Sequence, residues 1–420
     1  MSKQQSSNSS FLKGLLVRYA NYGSIDIWFL VIVLALLCIG LVMMFSASYP
    51  YAQIMYGDST NFIKKQAVFA VIGIVVMLAI SHIKADFWHV MMPVVTGITI
   101  FLLLIVFVLP QYRSGFYRWI DLGFTTFQPS EIAKFAVIVA GAFFYSRYFK
   151  KMSSQKPAKG GWAGALNNKL GAGLVKEAWV PTWMFCLFFG GCSVLVFLEN
   201  HLSGCILIFG IGAVMMYLGG VRTRWFVIFG GIGLGLIALV CIYIMATRDS
   251  EGTNFLKGYM EERIVGWLDK DYDPRGVRWQ TNQALYAIGS GGFFGKGLGN
   301  STQKYMYVSE PQNDMIFSIV CEELGFAGAT LIILLFVLLV YRGVVIGLNA
   351  KTRFSTLLAM GLVFQVGLQV LLNIAVASDS IPNTGISLPF FSYGGTSLVM
   401  LLAEMGIVLS VSREGRLKKK

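Results

Sequence analysis

The chain has 420 residues, of which 56% are hydrophobic and 13% charged, and its 34 lysines and arginines outnumber 21 aspartates and glutamates for a formal charge of +13. Charged residues stand at about half their usual share in a soluble domain, which excludes a water-soluble globular protein and leaves the bilayer as the matching solvent. The positive charge is not a nucleic-acid signal, because it is confined to loops that alternate along the chain.

Residues 1–25 are polar and Ser-rich and are expected to form a cytoplasmic tail. The apolar run that follows is too long for a cleaved signal peptide, so it is expected to stay as an anchor. A helical span needs about 20 apolar residues. Such runs predict spans near 27–47, 66–83, 89–110, 131–149, 182–199, 203–219, 226–246, 314–341, 355–377 and 393–411. The expected fold class is an all-α integral membrane protein of about ten transmembrane helices, with a polytopic domain over 26–412 and a basic cytoplasmic tail over 413–420.

The basic residues orient it. Arg147, Lys150, Lys151, Lys156, Lys159, Lys169 and Lys176 cluster around a Gly/Ala/Ser-rich loop at 150–181, read as a flexible cytoplasmic linker. Arg222 and Arg224, then Arg342, Lys351 and Arg353, then Arg413, Arg416 and Lys418 to Lys420 mark three further stretches on the same side. With an even number of spans, both termini are expected in the cytoplasm of a bacterial cell. Lys64 and Lys65 fall on the outer side against this pattern. The longest loop, 247–313, is expected outside, and its mixed charges and aromatics predict a segment folded onto the membrane face.

The six cysteines lie in apolar stretches without CxxC spacing, and the three histidines are scattered, so neither disulfides nor a metal-ligand cluster is expected.

Polar chemistry gathers in three outer segments. The first runs from Arg118, Trp119 and Asp121 to Gln128, Pro129, Ser130, Glu131 and Lys134. Pro129 suits the first turn of a helix, and Glu131 the positive end of its dipole. Glu131 and Lys134 share a face just inside the membrane. They either satisfy each other or, with Arg118 and Trp119, form a cationic site for a lipid-linked phosphate. The second segment is Gly-rich from Gly289 to Gly299, includes Lys296, and continues through Lys304, Glu310 and Asp314. It matches neither a P-loop nor a dinucleotide fingerprint. Asp314 is either a helix cap or a functional acid. Glu322 and Glu323 further along that span suit a proton or cation path, or polar packing. The third segment, 382–397, holds Pro382, Pro389, Ser392, Tyr393, Gly394 and Gly395. It predicts broken or re-entrant backbone lining a cavity or buried in protein.

The motifs RWIDLG and QPSEIAK within 118–134, AIGSGGFFGKGLGNSTQK at 287–304, NDMIF and EELG within 313–325, and PNTGISLPFFSYGGTS at 382–397 resemble the SEDS family (shape, elongation, division and sporulation), whose members include FtsW, RodA and SpoVE. They occur in the family's order, and the chain is closer to FtsW or SpoVE than to RodA. The resemblance implies a peptidoglycan glycosyltransferase of the bacterial plasma membrane. Its substrate would be lipid II, a disaccharide-pentapeptide on undecaprenyl pyrophosphate. Its partners would be a class B penicillin-binding transpeptidase and other division or elongation proteins. Asp314 matches the family's essential aspartate, and Arg118, Trp119, Glu131 and Lys134 match further motif positions. The chain departs from the family at Ser309–Asn313, at Asn200–Gly204, where a Pro-Asp-Leu-Gly run is usual, and at Asp379 and Ser380.

On this reading Asp314 is the general base, and Arg118, Lys134 and Lys296 stabilise the leaving pyrophosphate. Gln128, Ser130, Glu131, Trp119, Glu310, Pro389, Ser392, Tyr393, Gly394 and Gly395 complete the expected substrate site, with 382–397 lining a cavity for the lipid tail. No metal ligand set stands out, and a divalent cation, Mg or Mn, is left open. Two other functions compete: a lipid II flippase using carboxylates at 131, 199, 322 and 404, and a scaffold that only recruits the transpeptidase.

Overall fold

Apolar segments in a bilayer must satisfy their own backbone hydrogen bonds, and so become helices. The computed structural model describes residues 23–109, 118–121, 123, 126–148, 180–199, 201–223, 259–271, 273–276 and 278–416, with a few isolated positions between 226 and 242. In chain order the elements are α1 (Ile27–Tyr56), α2 (Asn61–Ile80), α3 (Ala85–Ile105), β1 (Ile120–Asp121), β2 (Thr126–Phe127), α4 (Pro129–Arg147), α5 (Val180–Leu198), α6 (Leu202–Gly219), α7 (Tyr259–Leu268), α8 (Trp279–Ser290), α9 (Ile316–Leu348), α10 (Arg353–Ala377) and α11 (Gly395–Arg416).

Among the described residues eight helices are long and apolar enough to cross a membrane: α1, α2, α3, α5, α6, α9, α10 and α11. α4 has a span's length too, but Glu131 and Lys134 interrupt its apolar character. The expected span at 226–246 lies almost wholly outside the described residues, as do nearly all of 150–181, residues 247–258 and the tail beyond 416. Most boundaries fall within a few residues of expectation. α1 instead runs on past residue 47 to Tyr56, carrying Pro50 inside it, and stops at Gly57 in the left-handed conformation. α9 opens at Ile316, so Asp314 stands in the turn before it, and the N-cap position is Met315.

α4 is the central helix: Ala133 through Ala142 are all buried, with α3, α5, α6 and α10 packed around it. This is why an ion pair near its start ends up inside the bundle. α2 pairs closely with α11, and α9 with α10. Val68, Val71 and Val75 of α2, Phe101 of α3 and Leu187 of α5 point outward, as lipid-facing side chains should.

One end of the bundle is laced by the chain's own termini. Arg342 grips Asp26 through two hydrogen bonds of 3.0 and 2.8 Å. Arg413 donates to the Gly23 carbonyl, and the Ala85 N–H donates to Glu414. The opposite end carries the β1–β2 hairpin, α7, α8 and the irregular stretches 291–315 and 378–394. It is the end that the basic-loop pattern assigns to the outside. Lys64, an apparent exception there, pairs with Asp58 at 2.9 Å, and the hydrogen bonds from Thr60 and Lys64 hold that carboxyl at about 2.

Candidate active site

The stretch 378–394 crosses the bundle without regular structure, so its polar backbone must be met by side chains. Asn373 of α10 donates to the carbonyl of Ile386, and Gln369, one turn away, donates to the carbonyl and hydroxyl of Ser387. Gln66 of α2 donates to the Ser392 carbonyl and accepts from the Gly394 N–H. The Ser392 hydroxyl donates to the Asn313 carbonyl at 2.6 Å, and the Tyr393 N–H to the Gln312 carbonyl at 2.8 Å. The re-entrant stretch is thereby stitched to the turn that carries Asp314. On its other side it presses on α1 at Gly40, where a Cβ would come within 2.3 Å of the Phe390 carbonyl oxygen. The expectation of broken backbone against a cavity is met.

Between these stretches, α2, α4, α6, α10 and α11 lies a cavity of about 740 Å³. Of the residues picked out from sequence, Arg118, Trp119, Gln128, Ser130, Glu131, Lys134, Glu310, Asp314, Pro389, Ser392, Tyr393, Gly394 and Gly395 all line it. Its walls are more polar than a lipid-tail cavity would be. Gln365, Gln369 and Glu404 also line it, with Gln365 donating to Glu404 at 2.9 Å.

One wall is the start of α4. Pro129 occupies the first turn, and Lys134 meets Glu131 at 2.9 Å while donating to Gln369. Thus the Glu–Lys pair satisfies itself and also faces the cavity. His201, just ahead of α6, shares this wall and lies within hydrogen-bond distance of the Gln128 amide. Burial, then the charges of Arg118 and Lys134, push its imidazole down to about 3, so it is uncharged at neutral pH. Glu199 lies fully buried nearby, outside the cavity lining.

The other wall carries Asp314. Burial raises its pKa, Arg263 opposes that, and Glu310 adds to it. The local main chain also stabilises the ionised form. Glu310, at a φ of 46°, accepts a 2.7 Å hydrogen bond from Asn313. Arg263 of α7 donates to the Asn383 carbonyl, Trp267 to that of Asp379, and Arg278 pairs with the Asp379 carboxylate at 2.8 Å. The described part of the long loop is therefore folded onto the re-entrant stretch.

Lys296 is placed elsewhere. It is absent from the cavity lining, and its ammonium meets Glu322 at 2.6 Å. Glu322 also accepts from the Ser301 hydroxyl and the N–H groups of Thr302 and Gln303. Glu323 accepts from Ser46, Lys304, and the N–H groups of Gly299 and Ser301. The two adjacent carboxylates thus anchor the Gly-rich loop. The loop lies so close to the break in α9 at Gly325 that a Cβ on Gly295 would come within 2.2 Å of the Glu323 carbonyl. Polar packing, not a conduction path, describes this pair.

Several cavity residues escaped the sequence reading: Lys65, His201, Arg263, Gln365 and Gln369. Gln365, Gln369 and Asn373 recur every fourth position, one face of a helix, and that spacing is the signal by which the α10 wall could have been found. No three acidic, histidine or cysteine side chains gather to hold a metal among the described residues.

Comparison with known proteins places this architecture. The family described as "Cell cycle protein", covering FtsW, RodA and SpoVE, matches residues 27–417. Stage V sporulation protein E of Bacillus subtilis is 37% identical over 394 residues, covering 93% of this chain and 98% of its own. A protein named probable peptidoglycan glycosyltransferase FtsW, from Geobacter sp. strain M18, is 32% identical, with 93% and 97% covered. Among solved structures, a chain of a peptidoglycan synthase complex is similar at a TM-score of 0.68 and 24% identity, covering 93% of this chain and 98% of that one. The rod shape determining protein RodA of Thermus thermophilus follows at 0.60 and 23%, with 93% and 97% covered. The chain is a multi-pass membrane protein of the FtsW/RodA/SpoVE family.

Proposed function

We propose that the chain is a peptidoglycan glycosyltransferase that joins lipid II into β-1,4 glycan strands at the outer face of the bacterial plasma membrane, during division or related wall synthesis. The carrying observation is the cavity itself, with Asp314 on one wall and the cations Arg118 and Lys134 lining it as well. Making a β link from an α-linked sugar pyrophosphate inverts the anomeric carbon, and one direct displacement achieves that. Asp314 takes the proton of the acceptor hydroxyl as its oxygen attacks. A positioned base of this kind contributes about 10²- to 10⁴-fold.

As the bond to the pyrophosphate breaks, the electron pair leaves with that group. Arg118 and Lys134 are fixed charges that favour it more as its charge grows. Lys296, which lies outside the cavity lining, has no part in this step. Trp119, Tyr393 and the polar residues Gln128, Ser130 and Glu310 orient the sugars. Both termini lie in the cytoplasm, and a class B penicillin-binding transpeptidase crosslinks the product. The names carried by the FtsW relatives support the reading.

The experiment is polymerisation of purified lipid II by the full chain and by Asp314→Asn, with and without the cognate transpeptidase. The expected result is polymer from the parent and none from the variant at equal expression. Near-normal glycan from Asp314→Asn refutes the assignment. A flippase would instead move labelled lipid between liposome leaflets without making polymer. Its supposed carboxylates do not form one row, since Glu322 is held in the loop anchor while Glu131 and Glu404 line the cavity.

A further inference from the structure

We propose that the leaving pyrophosphate is seated where α4 and α6 begin, with the His201 ring as a hydrogen-bond donor to it. This rests on the glycosyltransferase reading.

Both helices start at the cavity, and Gln128, Ser130, His201, Ser203 and Gly204 line it there. Helix starts offer backbone N–H groups and positive potential to anions. The second observation is Ser130. Its side chain is 1% exposed, the residue belongs to the cavity lining, and its Oγ meets no hydrogen-bond partner. A buried donor without an acceptor is costly unless a ligand supplies one.

His201 is built into the same corner. Its ring folds over the first turn of α6, so close that a Cβ on Gly204 would come within 2.5 Å of Nδ1. The Gln128 amide nitrogen stands 3.2 Å from Nδ1 and 3.3 Å from Nε2. A neutral imidazole carries one N–H, a donor that a ligand in the cavity can accept from. Burial, and then the cations beside it, keep the ring neutral. A neutral donor does not hold the ground-state anion as an imidazolium would, yet its bond strengthens as charge builds on the departing oxygen.

The step balances as follows. The acceptor oxygen bonds to the anomeric carbon while the carbon–oxygen bond to the pyrophosphate breaks. The hydroxyl proton passes to Asp314. The electron pair departs with the pyrophosphate toward Arg118, Lys134, Ser130 and His201.

The test measures binding of undecaprenyl pyrophosphate, with undecaprenol as the uncharged control, to the full chain in nanodiscs, beside lipid II polymerisation by the same samples. His201→Ala should weaken pyrophosphate binding about tenfold or more, the effect of one hydrogen bond to a charged group. It should lower kcat with little change in KM. His201→Gln, which keeps a neutral donor, should recover most of the loss, and Ser130→Ala should show a smaller one. Asp314→Asn should bind the pyrophosphate as the parent does. Equal affinity in His201→Ala and the parent overturns the proposal, as does equal binding of undecaprenol. If the parent makes no polymer, the activity reading fails, and the binding comparison still decides the seat.

Discussion

A single amide nitrogen of Asn373 donates to two carbonyls, that of Asp314 at 2.8 Å and that of Ile386 at 2.6 Å. It thus fixes the distance between the turn bearing the acid and the stretch that closes the cavity. Asn373 itself is fully buried and sits on α10, a rigid support. Asn373→Ala leaves both carbonyls without their donor, at a cost of about 1–3 kcal/mol. Because misplacement by about 1 Å can cost a hundredfold in rate, polymerisation should fall further than stability does. Lipid II turnover and thermal unfolding of the same detergent-solubilised variant would separate the two.

The environment of Asp314 sets a pH dependence. Its pKa is raised, chiefly by burial, so a base here is lost to protonation above the ordinary carboxylate range of about 4. Activity should be full at higher pH and fall as pH drops through the raised value. Glu310 raises the value and Arg263 lowers it. Glu310→Gln should therefore move the acidic limb of kcat/KM to lower pH, and Arg263→Gln should move it to higher pH. Movement in the same direction, or none, would count against Asp314 as the titrating base.

The same shift bears on stability with a defined sign. A carboxyl whose folded pKa is raised contributes stability that is full below the unfolded value and lost as pH rises through the folded one. Where the acid is ionised it is a burden on the fold. Asp314→Asn should be inactive yet at least as thermally stable as the parent at pH 7–8, with the difference narrowing toward pH 4. A large loss of melting temperature in Asp314→Asn would show a structural role for the carboxylate.

Much of the architecture was legible in the sequence because a bilayer leaves long apolar runs few options. Pro129 opens α4 and Gly220 closes α6, near where those spans were expected to begin and end, whereas α1 ran past its expected end to Gly57. The cavity was legible through residue types that have no place in lipid: Arg118, Lys134, Glu131 and Asp314. What stayed hidden were pairings between distant segments. Nothing local distinguishes Lys296, whose charge is met by Glu322 across 26 positions, from Lys134, which faces the cavity. Nor does a run of α10 that is apolar on average announce that Gln365 and Gln369 line the cavity while Asn373 holds the turn and the re-entrant stretch together. His201 lay in a departure from the family's pattern, where motif matching gives no role.

The buried anchor beneath the Gly-rich loop should behave as a unit. Lys304 and Glu323 are both fully buried and 2.8 Å apart. Removing one partner alone strands a charge, at about 3–5 kcal/mol. Lys304→Met should therefore be strongly destabilising, and Lys304→Met combined with Glu323→Leu less so than the sum of the single changes. Melting temperatures of the two single variants and the double variant give the coupling directly. Simple additivity would mean the pair is not energetically linked.

Two glycines in membrane helices make a controlled contrast. At Gly40 a Cβ would sit 2.3 Å from the Phe390 carbonyl oxygen, a backbone atom that cannot rotate away. At Gly97 of α3 nothing lies within 4 Å. Gly40→Ala should push the re-entrant stretch off α1, destabilising the chain by about 1–3 kcal/mol and lowering polymerisation through the displaced Ser392 and Tyr393. Gly97→Ala should be neutral or stabilising by up to about 1 kcal/mol, because alanine restricts the helix less unfavourably. Thermal unfolding and turnover measured on both variants check the pair. If Gly40→Ala proved as mild as Gly97→Ala, the close seating of Phe390 on α1 could not be what holds the cavity's floor in place.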